Sequence, residues 1–415
     1  MTVRHGLAAL LCLATLALAM PAHAASGALD TSFDGDGIFS FGLQNPAEEG
    51  AAGIAVDPAG RLIVGEGLVG SNMAVARVLP GGGLDPAFAG GVVQLSDGKS
   101  RSTNTVAVQS DGKVLAAGND INHGQNVFLV RYRGNGTPDP TFGSGGIAHV
   151  QVCGTSATET NVFVRSDDSI LVLGWCGNGS TKNVLFALAF KANGTLDKGF
   201  SGDGTFQLAV GDSYFVRNAV IDGHDRITVV GASATGTKPL KAAIVRILAS
   251  GKLDPSFSGD GKALFDLAGG DDGGRAIASL GSGRVLVVEQ AVAGGGATAD
   301  ALLFALTADG KLDPTWSGDG KATIDAAPFD NPWGMAIDAS DRIYLATTIM
   351  FGVDEASVIR TKPNGALDTT FGGGVAHTDT DSQAGLVVLW KGKPTIAGDV
   401  FTGTDFDAMV ARFQP

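Results

Sequence analysis

Short apolar runs recur along the whole chain and are separated by polar turn residues. In one representative stretch they are Thr105–Gln109, Lys113–Gly118, Phe128–Arg133 and Ile147–Gln151. Runs of this length that are rich in Val, Ile, Leu and Phe and are broken by Gly, Asp or Asn are typical of β-strands. No stretch has a helical period of any length, so the pattern predicts an all-β chain.

An aspartate with an aromatic residue three positions later follows these runs at regular intervals. Leucine precedes the aspartate in six copies and Pro138 does so in the other, and Trp316 replaces phenylalanine once. The successive intervals are 55, 54, 58, 57, 59 and 55 residues. The seven aspartates are Asp30, Asp85, Asp139, Asp197, Asp254, Asp313 and Asp368. Such a period indicates tandem units, each too small to bury its hydrophobic face alone.

Four strands in each of seven repeats predict a seven-bladed β-propeller, with strands A to D running from the centre to the rim. The count leaves Gly37–Phe41 as a strand D without a blade, and Ala408–Phe413 as a strand C without a strand D. Pairing these two runs would close the ring and protect two open edges. Residues 25–415 are therefore predicted to form a single domain. Strand A is nearly continuous in apolar residues, as in Leu386–Leu389, which predicts burial on both faces.

The first 24 residues have the features of a secretory signal peptide. Arg4 provides a basic start, Gly6–Met20 is an apolar run, and Ala22-His23-Ala24 fits a cleavage site. We therefore expect export to the periplasm, the cell surface or the medium. Cys153 and Cys176 remain after cleavage, and a pair of thiols in an exported chain favours a disulfide.

Charge and composition restrict the possible partners. The full chain has a formal net charge of −13 and no basic run, which argues against binding to nucleic acid or anionic lipid. Its residues are 44% hydrophobic and 17% charged, which suits a folded core. No segment after the signal is apolar enough to span a bilayer, and we expect a monomer that binds a protein or a carbohydrate.

Three segments of the second repeat carry a resemblance to a known family. They are Asp111–Gly118, Phe128–Tyr132 and Gly136–Gly143. The repeats resemble the delta-60 repeat family, whose tandem units of this length occur in exported bacterial proteins. The resemblance implies a propeller-like repeat and export, and it implies no particular chemistry.

The aspartate phrase has a structural and a metal-binding interpretation. In four copies it continues as Gly-Asp-Gly, with Asp36, Asp203, Asp260 and Asp319, and such spacing could supply calcium ligands. An EF-hand loop would also need a terminal glutamate, and none follows. We therefore expect no cofactor, with calcium as the alternative, and expect the aspartate to cap a turn while the aromatic fills the gap between blades.

Basic residues recur at two positions relative to that phrase. An arginine lies in strand C of five repeats: Arg77, Arg131, Arg246, Arg360 and Arg412. A second basic residue opens strand B in six: Arg61, Lys113, Arg226, Arg284, Arg342 and Lys393. Both positions share one face with the aspartates, so we predict internal ion pairs rather than a cationic surface.

Catalytic motifs are lacking in the sequence. It contains no Gly-x-Ser-x-Gly elbow, His-Glu-x-x-His or P-loop. The first hypothesis is therefore a non-catalytic binding or scaffold propeller that uses the variable B–C and D–A links of its top face. The alternative is a carbohydrate hydrolase or lyase. Two carboxylates within about 5–10 Å of each other at the channel mouth would favour the enzyme.

A candidate ligand site follows from counting nine residues back from the residue that opens strand B. This position should lie at the top of strand A, around the channel mouth. The counted residues are Ala52, Asn104, Thr160, Arg217, Arg275, Trp333 and Ala384, and Asn161 and Asn218 join them from the next level. Two arginines and a tryptophan could bind a carboxylated or hydroxylated ligand. In the alternative interpretation, the arginines pair with Asp212, Asp271 or Asp272, and Trp333 only fills the channel.

Overall fold

The computed structural model describes residues 25–42, 49–68, 73–95, 101–119, 126–153, 157–177, 182–236, 240–267, 273–292, 299–326, 331–350 and 353–415. The predicted signal peptide lies outside these residues, as do parts of the variable top links. Within the described residues, no helix is long and apolar enough to cross a membrane.

The strands form seven antiparallel sheets of four, so the predicted seven-bladed propeller is confirmed. Blade 1 contains β2 Glu49–Val56, β3 Leu62–Leu68, β4 Ala74–Val78 and β5 Val92–Gln94. Blade 2 contains β6 Thr105–Val108, β7 Val114–Asn119, β8 Asn126–Tyr132 and β9 Ile147–Gln151. Blade 3 contains β10 Ala157–Val164, β11 Ile170–Gly177, β12 Asn183–Phe190 and β13 Thr205–Leu208. Blade 4 contains β14 Ser213–Ile221, β15 Ile227–Ala234, β16 Lys241–Ile247 and β17 Lys262–Phe265. Blade 5 contains β18 Gly274–Gly281, β19 Arg284–Val292, β20 Ala299–Leu306 and β21 Lys321–Ile324. Blade 6 contains β22 Asn331–Ile337, β23 Ile343–Met350, β24 Asp354–Thr361 and β25 Val375–His377. Blade 7 contains β26 Ser382–Trp390, β27 Lys393–Phe401, β28 Phe406–Arg412 and, from the start of the described chain, β1 Ile38–Phe41.

The ring closes by pairing its two ends, as the sequence predicts. Strand β1 is antiparallel to β28, with Ile38 opposite Ala411 and Phe41 opposite Ala408. Each innermost strand also contacts the innermost strands of both neighbouring blades, including β26 with β2. A single 3-10 turn, Gly372–Gly374, is the helical structure among the described residues.

The hydrophobic core lies between the blades. Seven clusters of buried apolar side chains each draw on two adjacent sheets, and one of them joins blade 7 to blade 1. The repeated aromatics belong to these clusters and are at most 6% exposed. A Cβ on Gly310 of blade 5 would lie 2.9 Å from the Phe257 ring of blade 4, so the aromatic does reach the next blade.

The prediction that strand A is buried on both faces is wrong. In β14 and β26, buried residues alternate with exposed or half-buried ones, whereas β4 is buried throughout and β7 is buried except at its last residue. The reason is that strand A faces an open central channel on one side. The two middle strands of each blade are instead covered by sheets on both sides.

The aspartates of the repeated phrase cap their turns in all seven copies. Each carboxylate accepts a hydrogen bond of 3.0–3.3 Å from the backbone N–H two residues later. Each aspartate C=O also accepts a hydrogen bond from the N–H of the aromatic residue. The phrase is therefore a structural turn in all seven copies.

The strand C arginines form ion pairs with these aspartates. Their Nε atoms lie 2.6–2.8 Å from the aspartate Oδ2 in four blades, and Arg131 Nη2 lies 2.9 Å from Asp139 in another. Each of the five guanidiniums also covers the repeated aromatic ring at 4.5–4.7 Å. Arg77 additionally donates a 2.6 Å hydrogen bond to Gly134 O of the next blade. We call this arrangement the Arg–Asp latch.

One disulfide joins Cys153 to Cys176, as predicted, with their Cα atoms 6.0 Å apart. It connects the end of blade 2 to β11 of blade 3. Cys176 lies within β11, and its side chain is fully buried.

Candidate functional site

The innermost strands share a backbone irregularity at the channel mouth. The register between strands A and B shifts by one residue in six blades. The extra residues are Ala52, Thr160, Arg217, Arg275, Trp333 and Gly385. A β-bulge of this kind bends the strand and re-aims the side chain of the extra residue. Five of these extra residues line the central channel, whereas Arg275 lines a small cavity beside it, together with Arg217 and Gln290.

The channel contains a cavity of about 530 Å³ lined by residues from all seven blades. Near the bulges, the wall is polar and includes Thr160, Asn161, Arg217 and Asn218, with Trp333 beside them. Farther along the strands the lining becomes apolar, with Val220 among its residues. Among the described residues that line the cavity there is no aspartate or glutamate.

Two arginines converge on one indole at the mouth. The guanidinium carbon of Arg275 lies 4.1 Å from the centroid of the Trp333 ring, and that of Arg217 lies 5.9 Å from it. Arg275 also donates a 2.7 Å hydrogen bond to Gln290 Oε1. We call Arg217, Arg275, Gln290 and Trp333 the mouth cluster. Trp333 keeps 37% of its surface exposed, so it can still contact a ligand.

The electrostatics of the mouth cluster are unfavourable without a counterion. Burial in the channel wall, with a smaller contribution from the charge of Arg217, lowers the pKa of Arg275 to about 10. Burial also lowers the pKa of Arg217, although its side chain remains accessible to solvent. Neither arginine forms an ion pair with a carboxylate of the described residues. Two adjacent cations in a partly dehydrated wall repel each other, and an anion bound between them would relieve that cost.

Three aspartates were proposed above as internal counterions of these arginines, and none of them is seen to pair with either arginine among the described residues. Asp212 lies 3.2 Å from Lys182 and accepts a hydrogen bond from the Gly236 N–H, so it is occupied elsewhere. Asp271 and Asp272 lie outside the described residues.

The other counted positions have different surroundings. Thr160, Asn161 and Asn218 line the cavity, and the side-chain amide of Asn161 donates a 3.3 Å hydrogen bond to Asn218. Asn104 does not line it; its side chain accepts a hydrogen bond from Ser102 at 3.1 Å.

In blade 7, the position predicted for the channel mouth is wrong by one residue. Ala384 is buried, and Gly385 occupies the bulge. The β26–β27 hairpin is shorter, because four residues separate the paired Leu389 and Pro394, whereas five separate Val56 and Leu62 in blade 1.

Sequence reasoning missed Gln290. The residue lies near the end of β19, just before the variable link to β20, where no repeated position marks it. A register argument could have found it, since β19 is the antiparallel neighbour of β18, which carries Arg275.

One family model matches a part of the chain. It is described as a domain of unknown function (DUF5122) beta-propeller and covers residues 109–142, which span strands of blade 2 and its aspartate phrase. No curated protein shows a significant match to the sequence.

Several solved structures are similar in fold. A polysaccharide lyase of family PL25, an ulvan lyase bound to -[GlcA(1-4)Rha3S]-, has a TM-score of 0.52 at 9% identity, with 90% of this chain and 96% of that chain covered. A protein of unknown function from Dyadobacter fermentans gives 0.48 at 10% identity, covering 91% and 99%. Drosophila Semaphorin 1a, extracellular domains 1-2, gives 0.48 at 11% identity, covering 91% and 87%. The family match and the similarity to the ulvan lyase support a β-propeller fold, and none of the comparisons assigns a reaction or ligand to this chain.

Proposed function

We propose that the protein is an exported propeller of the delta-60 repeat type that binds an anionic carbohydrate, carboxylated or sulfated, at its channel mouth. The observation that carries this proposal is the convergence of Arg217 and Arg275 on Trp333 without a carboxylate partner among the described residues. The wall of the cavity supplies hydrogen-bonding groups and the indole supplies an apolar face. A sugar ring with an acidic substituent presents both kinds of surface.

Arginine suits this ligand class because its planar guanidinium donates two parallel hydrogen bonds to a carboxylate or sulfate. The cavity volume is within the range of small-molecule sites, which is about 300–1,000 Å³. The cations also give the mouth a local charge opposite to that of the acidic chain as a whole, whose formal net charge is −13. An anion therefore meets attraction at the mouth and repulsion over most of the remaining surface.

The alternative, a hydrolase or lyase, needs groups that perform acid–base chemistry. A glycosidase of the usual kind needs two carboxylates flanking the scissile bond. The described lining of the cavity provides none. The similarity to the ulvan lyase is a similarity of fold at 9% identity and does not supply a catalytic residue here.

The test is a titration of the purified protein with uronate-containing and sulfated oligosaccharides, beside neutral oligosaccharides of equal length. We expect binding of acidic sugars that weakens with salt. Replacing both Arg217 and Arg275 by alanine should reduce affinity by about 100-fold or more, since a hydrogen bond to a charged group contributes about 1.5–3 kcal/mol. Arg133→Ala is the matched control, because Arg133 is an exposed arginine 3.8 Å from Asp139. It lies on the bottom face of the ring, which carries the A–B and C–D links and the repeated aspartates.

Equal binding of neutral and acidic sugars, or full affinity in the double variant, would show that the mouth cluster is not the site. Release of unsaturated or shortened products during the same incubation would support the enzyme instead. Amino-terminal sequencing of the protein recovered from culture tests export, and a start at residue 25 is the expected result.

A further inference from the structure

Blade 6 places an imidazole and two carboxylates together at its top edge, away from the mouth cluster. Glu355 lies near the start of β24, His377 ends β25, and Asp379 follows in the link to blade 7. His377 Nδ1 lies 2.6 Å from Glu355 Oε2 and 3.1 Å from Asp379 Oδ1. The three potential ligand atoms lie within 4.8 Å of one another. The antiparallel pairing of β24 and β25 brings the first two residues together, because Ser357 is directly opposite His377.

The glutamate of this group is in an unusual environment. Glu355 is only 9% exposed, and its Oε2 is buried without a hydrogen-bond donor. The group that faces this oxygen is His377 Nδ1 at 2.6 Å, which is a potential metal ligand when the imidazole is neutral. With the imidazole neutral and its proton on Nε2, this buried carboxylate oxygen accepts no hydrogen bond, which is costly. A cation that coordinates this oxygen would remove the cost.

The donor set identifies the class of cation. One imidazole nitrogen and two carboxylate oxygens suit zinc and related divalent transition metals, whereas calcium and magnesium prefer ligand sets made only of oxygen. Two carboxylates also neutralise the two positive charges of the ion when the imidazole is neutral. Three protein ligands leave a position of the zinc tetrahedron open to water, and the partial exposure of His377 and Asp379 keeps this side accessible.

We propose that Glu355, His377 and Asp379 form a Zn²⁺ site that ties the β25–β26 link to β24. The site is independent of the mouth cluster and of the ligand that binds there. Its ion would cross-link two strands of blade 6 to the segment that leads into blade 7, and zinc should therefore raise the melting temperature of the whole protein.

The experiment is a calorimetric titration of the purified, chelator-treated full-length protein with ZnCl₂, with CaCl₂ in parallel. We expect one zinc ion per chain and no measurable binding of calcium at the same concentrations. His377→Ala should weaken zinc binding at least 100-fold, and Asp379→Asn should weaken it about tenfold, as is common for the loss of one ligand or its support. His224→Ala is the matched control, because His224 lies in an exposed loop between β14 and β15.

Zinc binding that survives His377→Ala, or that His224→Ala removes, would overturn the proposal. So would the absence of zinc binding up to millimolar concentrations. If His377→Ala unfolds the chain, the exposed Asp379→Asn variant decides the question, with its fold checked by circular dichroism. In that variant, an unchanged affinity and an unchanged zinc-induced rise in melting temperature would both count against the site.

Discussion

The two faces of the ring treat their charged residues in opposite ways. On the bottom face, the Arg–Asp latch gives the repeated charges partners in neighbouring strands, and several contacts extend to the next blade. On the top face, Arg217 and Arg275 lie beside the same indole, and the described residues offer them no carboxylate. The charged residues of the bottom face recur along the sequence and are paired with opposite charges. The arginines at the mouth occur once each and have no carboxylate partner among the described residues.

The difference indicates where stability and recognition reside. A position that recurs in every blade has to serve the same purpose seven times, and packing between blades is the purpose that all of them share. A charge that occurs without an internal partner costs stability, so its presence is better explained by an external partner. The following changes test that division, in order of decreasing effect on stability.

Removing residues 25–42 should have the largest effect. This segment supplies β1, the capping Asp30 and the fully buried Phe33, and it leaves β28 with an open edge when it is absent. Exposed strand edges promote association between chains. We expect aggregation and loss of the cooperative melting transition, measured by light scattering and calorimetry. A truncated chain that remains monomeric with an unchanged melting temperature would contradict the closure.

Breaking one latch should have the next largest effect. In Asp254→Ala the Arg246 guanidinium, 2.8 Å from the carboxylate, loses its buried counterion. Removing one partner of a buried pair typically costs about 3–5 kcal/mol. Chemical denaturation of this variant, beside an exposed control such as Asp203→Ala, measures the difference. Equal stability of the two variants would show that the latch does not hold the blades.

The same latch predicts sensitivity to acid. Burial alone would raise the pKa of Asp254, but hydrogen bonds from Ser256 and the positive charge of Arg246 outweigh it and hold the pKa below its ordinary value of 3.8. Because the folded pKa is lower than the unfolded one, the stabilisation is complete above the unfolded pKa and is lost as the pH falls through the folded value. Asp254→Asn should therefore show a weaker loss of stability between about pH 5 and pH 2 than the parent chain.

The disulfide should contribute less than the latch of a single blade. It closes a loop with a sequence separation of 23 residues, for which the chain-entropy model gives about 3 kcal/mol. Cys153→Ala and Cys176→Ala should each lower stability by a similar amount, and reduction should have no further effect on either. Two free thiols in the mass spectrum of the unreduced protein would show that the bond does not form.

The repeated features could be predicted from the sequence because each of them occurs several times along the chain. Seven copies of one phrase determine the number of blades, the pairing of β1 with β28, and the face that carries Asp254 and its equivalents. Features that occur only once were harder to predict from the sequence. The shorter β26–β27 hairpin displaced the count from Gly385 to Ala384, and nothing in the sequence joins Glu355 to His377, which lie in different strands. The open channel likewise changed the environment of strand A, because apolar content alone does not reveal a cavity.

Removing an arginine from the mouth should have the smallest effect on stability. This change distinguishes most clearly the role of the mouth arginines from that of the bottom-face arginines. Arg275 is repelled by Arg217 and partly dehydrated, and it donates a hydrogen bond to Gln290. Arg275→Gln relieves the repulsion and the cost of burying a charge, while it gives up one hydrogen bond and the contact with Trp333. These effects oppose each other, so we expect the free energy of unfolding to stay within about 0.5 kcal/mol of the parent value or to rise.

Arg246→Gln on the bottom face loses the same charge but leaves Asp254 buried without its counterion, and it should be clearly destabilised. Measured side by side by chemical denaturation, equal losses in the two variants would mean that the mouth arginines are structural after all.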